Sequence, residues 1–149
     1  MDEEVQVVQL NMNRSNLAAI SLNERLKALR SKFIRLLTEP FCYKEKVADI
    51  PKKCCVVPEP NTIRDPRASI ISNLELVEIS SLCTKDSAAA IIKHRGGRYL
   101  VVSLYMDINL DIGGDHLSNI LNYAAGLNIP RLMGADTNSH TIMFGPESN

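Results

Sequence analysis

The chain has 149 residues, 45% of them hydrophobic and 23% charged, with 17 Lys and Arg against 17 Asp and Glu. That length suits one domain able to bury about 70% of its unfolded surface, and the zero net charge excludes long-range attraction to nucleic acid, so such a contact needs a local basic patch. No apolar run approaches the ~18 residues of a membrane span, the acidic start is unlike a secretory or mitochondrial leader, and Cys42, Cys54, Cys55 and Cys83 form no Cys-x-x-Cys pair, which argues against zinc and for reduced, buried thiols.

Val5 to Leu10 alternates and reads as a strand, with Val5, Val7 and Gln9 on one face and Gln6, Val8 and Leu10 on the other. Asn13 and Ser15 then offer caps to a helix expected over 16–31. Leu22, Leu26, Leu29 and Phe33 keep one buried stripe, while Arg25, Lys27, Arg30 and Lys32 read as a solvated face. Phe33 to Leu37 is a short apolar strand that ends in Thr38-Glu39-Pro40. Cys42 to Pro66 carries Pro51, Pro58, Pro60 and Pro66 and reads as irregular, with room for a short strand over 54–57.

Arg67 to Ile71 begins the next strand, expected to pair through Ser72-Asn73 with the alternating run Leu74 to Ile79. Thr84-Lys85-Asp86 precedes Ser87 to His94, and His94-Arg-Gly-Gly-Arg98 reads as a hairpin turn rather than a nucleic-acid motif. Tyr99 to Asp107 is the strongest strand: Leu100, Val102 and Leu104 share one face, Val101, Ser103 and Tyr105 the other. After Gly113-Gly114, Leu117, Ile120, Leu121 and Ala124 give a helical stripe, with Gly126 suited to its C-terminal cap. Arg131 to Ala135 is a short buried strand that breaks at once into Asp136, Asn138 and His140. In an extended segment Asp136 and Asn138 point to the same side, where a hard cation or a phosphate finds oxygen and amide groups together. The same residues equally suit a polar turn after a strand.

Several of these segments, in this order, resemble the endonuclease/exonuclease/phosphatase superfamily, and most closely the apurinic-type endonuclease domain of insect non-LTR retrotransposons. The motifs are Gln9-Leu-Asn11-Met-Asn13-Arg14-Ser15, Glu39-Pro40-Phe41, Arg67-Ala-Ser-Ile, Thr84-Lys85-Asp86, Val102-Ser-Leu-Tyr105, and Gly134-Ala-Asp136-Thr-Asn138-Ser-His140 followed by Phe144-Gly145. Thr38 stands where that family has Gln, Pro66 where it often has Gly, and Phe144 where it has Trp.

The resemblance implies an α/β fold: a two-sheet sandwich with helices outside and the site at the strand ends. It implies Mg²⁺-dependent hydrolysis of a phosphodiester, with Mn²⁺ as the other candidate ion. Glu39 would hold the metal and Asp136 would position or activate water. Asn11, Asn138 and Tyr105 would donate hydrogen bonds to phosphate oxygens, and Arg14, Arg67, Asp86 and His140 would lie on the substrate side. DNA is the implied substrate, a longer retroelement polyprotein with a reverse transcriptase the implied context, and the nucleus the implied location, with no membrane involved. The family's late Ser-Asp-His motif does not occur in these residues. The expectation is therefore the N-terminal portion of such a domain over 1–149, incomplete at its C-terminus and catalytically silent by itself. An inactive remnant kept as a binding module, or a small-molecule phosphatase sharing the metal motif, are the alternatives.

Overall fold

The computed structural model of the chain describes residues 5–29, 32–106 and 115–136. Two β-α-β units frame it. In the first, β1 (Val5–Asn11) leads through helix α1 (Asn16–Leu29) to β2 (Lys32–Thr38), which lies parallel to it with Asn11 opposite Thr38. In the second, β9 (Gly97–Tyr105) leads to α2 (Asp115–Leu127) and β10 (Arg131–Asp136), again parallel, with Asp136 opposite Tyr105. A helical crossover is the usual way to bring two strands into parallel register, because a tight turn can only make them antiparallel.

Each unit seeds one sheet. Strands β5 (Cys55–Val57) and β6 (Ala68–Ser72) complete the order β1-β2-β6-β5, and β7 (Glu75–Glu78) and β8 (Ser87–His94) complete β10-β9-β8-β7. Two-residue strands β3 (Cys42–Tyr43) and β4 (Lys46–Val47) pair only with each other. The sheets stack face to face with one helix outside each, giving four layers and three apolar interfaces. Leu22, Ala19, Phe33, Leu37 and Ile71 fill the interface under α1. Ile34, Leu36, Ile70, Ala88, Ala90, Ile92 and Val101 fill the seam between the sheets. Leu100, Val102, Leu104, Met133, Ile120 and Ala124 fill the interface under α2. Alternate residues of β2 and β9 thus serve different interfaces, as a strand's two-residue period requires. This is the two-sheet sandwich with outer helices that the motifs imply.

Five local expectations need correction. The segment after β6 does not fold back on it: β6 is flanked on both edges by β2 and β5, and β7 pairs with β8 instead. Ser72 and Asn73 turn the chain from one sheet to the other, because their side chains are taken by β2: Ser72 Oγ donates to the Phe33 carbonyl at 2.7 Å, and Phe33 N–H donates to Asn73 Oδ1 at 2.9 Å. Phe33 belongs to β2, not to the helical stripe. The 42–66 stretch holds three short strands. In α2 the buried line is Ile120 and Ala124, at 0% and 2% exposure, while Leu121 is 41% exposed one step around the cylinder. Gly126 lies within α2, and Asn128 (φ 54) takes the left-handed position that ends it. The hairpin between β8 and β9 forms as expected, with Arg95 (φ 53) and Gly96 (φ 77) both left-handed, the geometry of a type I′ turn.

Candidate metal and phosphate site

The strand directions bring one set of strand ends to a common rim. Parallel β1 and β2 end there at Asn11 and Thr38, and parallel β9 and β10 end there at Tyr105 and Asp136. Antiparallel β6 and β8 begin there, with Ala68 opposite Thr38 and Ser87 opposite Leu104. The two sheets are tied together just below the rim by Ser103, whose buried hydroxyl donates to the Leu37 carbonyl at 2.8 Å.

Glu39 follows β2 with φ 46, a left-handed backbone that only a few per cent of non-glycine residues adopt. Pro40 narrows its choices further, since a residue before proline is pushed away from the α region. Both its backbone groups are bonded: Glu39 N–H donates to the Arg67 carbonyl at 2.9 Å, and its own carbonyl accepts from Arg14 N–H at 2.8 Å. Surrounding structure that over-determines an unfavourable backbone is a recurring feature of functional positions. The carboxylate is aimed by Asn11, whose Nδ2 donates to Glu39 Oε2 at 2.7 Å, while Asn11 Oδ1 accepts from Asn13 N–H at 2.8 Å. The amide is thereby fixed at both ends.

Arg14 acts beneath this pair. Its Nη1 donates to the carbonyls of Pro40 (3.3 Å) and Pro66 (3.1 Å) and to Cys42 Sγ (3.1 Å), and its Nη2 to the Asp65 carbonyl (3.4 Å). It rivets the loop after β2 to the loop before β6, so its donors face the protein. Nothing in the sequence near Arg14 signals this, because its partners lie far along the chain.

On the other half of the rim, Arg67 meets Asp86 in a two-pronged ion pair, Nε to Oδ1 at 2.5 Å and Nη2 to Oδ2 at 2.9 Å. The guanidinium lies over the Tyr105 ring, 4.8 Å from its centroid. Tyr105 N–H donates to the Asp86 carbonyl at 2.8 Å. Asn11, Glu39, Arg67, Asp86, Tyr105 and the backbone of Asp136 therefore share one rim. Asn138 and His140 lie outside the described residues, as does the side chain of Asp136.

The donor set suits a hard cation. Mg²⁺ is commonly held by one or two carboxylates, keeping its remaining positions for water and substrate phosphate, and Glu39 offers an oriented carboxylate whose Oε1 accepts no other hydrogen bond among the described residues. No group of three or more His, Cys, Asp or Glu that could hold a metal occurs among the described residues. Cys54 packs under α1 while its neighbour Cys55 is exposed.

No family model matches the chain, and no curated protein matches it. Among solved structures, the endonuclease domain of TRAS1, a telomere-specific non-LTR retrotransposon, superposes with a TM-score of 0.72 over 91% of this chain at 20% identity. The chain has the fold of a retrotransposon endonuclease domain. It spans 59% of the length of that TRAS1 domain. The catalytic domain of human Nocturnin, solved with a bound sulfate anion, aligns at a TM-score of 0.49 and 14% identity, covering 89% of this chain and 63% of the Nocturnin domain. The two-sheet α/β sandwich read from the motifs is the fold observed, and it is shared with the TRAS1 domain. Among the described residues, no helix is long and apolar enough to cross a membrane.

Proposed function

We propose that the rim is the metal and phosphate site of a Mg²⁺-dependent phosphodiesterase acting on DNA. The observation that carries this is Glu39, a carboxylate on a constrained left-handed backbone, aimed by Asn11 at the same rim as Tyr105. Glu39 would hold the ion, which when bound supplies Lewis-acid polarisation of a phosphate oxygen. Asn11 holds the Glu39 carboxylate in place. Tyr105 would donate its hydroxyl to a phosphate oxygen, and Asn138 would add an amide donor. Asp136, paired in register with Tyr105, would take the proton of the attacking water, a role that suits a carboxylate. The likeness to the TRAS1 domain supports DNA as substrate and a longer retroelement polyprotein as context.

The family resemblance assigns the proton transfer at the scissile phosphate to an imidazole in a motif these 149 residues lack. We therefore expect the 149-residue polypeptide to bind metal and DNA better than it cuts, since losing a positioned acid or base costs ~10²–10⁴ in rate. The test is fluorescence anisotropy of a labelled duplex oligonucleotide with and without Mg²⁺. Mg²⁺ should tighten binding to the wild-type chain and leave Glu39→Gln unchanged. A duplex that does not bind, or an equal Mg²⁺ effect in both proteins, contradicts the proposal. Competition by sugar phosphates or phosphoinositide vesicles at lower concentration than DNA would favour a small-molecule phosphatase instead.

A further inference from the structure

Arg67 sits where the two sheets meet at the rim, and its contacts reach both. Its carbonyl accepts from Glu39 N–H at 2.9 Å on the first sheet, and its N–H donates to the Lys85 carbonyl at 2.6 Å beside the second. Its side chain forks onto Asp86 and covers the Tyr105 ring. Both members of the ion pair are partly shielded, at 30% and 28% side-chain exposure. A guanidinium with Nε and Nη2 on one carboxylate and a face on an aromatic ring is fixed in position and orientation, because the planar fork leaves little freedom. To reach a phosphate with those same donors it would have to break the fork.

We propose that Arg67 is a positioning residue: clamped by Asp86, it fixes the Tyr105 ring and the Glu39 backbone, and so sets the distance between the metal side and the phosphate side of the rim. The effect on DNA rests on the function proposed above; the clamp itself does not. The chain's Asp86 is the other half of the device, and its backbone carbonyl holds Tyr105 N–H as well. A direct role for Arg67 as phosphate ligand makes the opposite prediction for Asp86. Removing a carboxylate beside such a ligand would free the arginine and take away a negative charge, so DNA would bind more tightly.

The experiment is the Asp86→Asn variant, read in two ways. In oligonucleotide binding, Asp86→Asn and Tyr105→Phe should each weaken affinity about tenfold, the loss of roughly one hydrogen bond to a charged group. The double variant should be no weaker than about twice either single one, since both break the same contact. Tighter binding in Asp86→Asn, or losses that multiply in the double variant, would overturn the proposal. Independently of DNA, ¹³C-labelled tyrosine rings should show the Tyr105 resonances moving in Asp86→Asn while those of Tyr43, Tyr99 and Tyr123 stay in place. Unmoved Tyr105 signals would overturn the clamp. If Asp86→Asn disturbs the other three tyrosines, Arg67→Lys, which keeps the charge but not the fork, carries the same reading. A wild-type chain that binds no duplex sinks the function proposal, and the ring resonances then decide the clamp alone.

Discussion

Arg35 is a charged residue in the middle of an apolar interface. It projects from β2 under α1 at 2% exposure, with Nη1 donating to Asn23 Oδ1 at 2.7 Å and its guanidinium 4.8 Å from the Phe33 ring centroid. Its Nε and Nη2 find no partner among the described residues. Burial lowers its pKa to about 10, against a smaller opposing influence from Cys54. Replacing a buried, poorly compensated ion by an apolar side chain of similar volume is often stabilising, so Arg35→Met should raise stability by about 1–2 kcal/mol in urea denaturation at pH 7. The sign with pH follows from which state holds the proton more tightly. The unfolded chain does, so above about pH 10 it binds more protons than the folded one, and wild-type stability gains relative to Arg35→Met as pH rises. A constant gap up to pH 12 would contradict this. The thiols divide similarly: burial pushes Cys83 up to about 11 and raises Cys42 and Cys54, while Cys55 is exposed. Ellman's reagent at pH 8 should find one fast thiol, absent in Cys55→Ser. At this scale the sequence marked Asn11, Glu39 and Tyr105 because motifs carry them. It could not show the partners of Arg14, Arg35 or Arg67, since those are set by which loops the fold brings together.

Among the elements, β10 approaches the first sheet closely at Gly134. A Cβ on Gly134 would lie 3.0 Å from both Leu36 Cδ1 and Gln9 Cγ. Leu36 is buried at 1% exposure and has little room to move. Gly134→Ala should therefore cost about 1–3 kcal/mol as overpacking does, measured by urea denaturation, despite the entropy an alanine saves in the unfolded chain. A stabilised variant would mean the seam is looser than described. Ser103→Ala removes the buried hydrogen bond to the Leu37 carbonyl that joins the sheets below the rim. It should cost about 1 kcal/mol and weaken the Mg²⁺-dependent gain in DNA binding as well, because small displacements of site groups are expensive; an unchanged gain would detach the seam from the site. Period and turn chemistry made β1, β2, β9, the β8–β9 hairpin and both helices legible. The partner of β6 was not, because Ser72-Asn73 looks locally like a tight turn and only the demand of β2 for its edge sends β7 to the other sheet. Likewise the α2 stripe includes Leu121 by spacing, and only the position of the sheet leaves it out.

In the molecule as a whole, two β-α-β units are stacked so that their parallel strands end together. That arrangement places an aimed carboxylate from one sheet and a clamped tyrosine from the other on one rim. Fold class and rim were readable from the order of motifs, because each motif falls at a strand end. The coupling between the halves was not, since it depends on Arg67 and Ser103 crossing a seam the sequence does not display. The central claim is that Glu39, held by Asn11, gives this rim a site for a divalent cation. Its most direct test is titration with Mn²⁺ followed by electron paramagnetic resonance, comparing the wild-type chain with Glu39→Gln and Asn11→Ala. One Mn²⁺ site in the wild type, lost in Glu39→Gln and at least about tenfold weaker in Asn11→Ala, is the predicted result; equal Mn²⁺ binding by all three proteins would contradict the account.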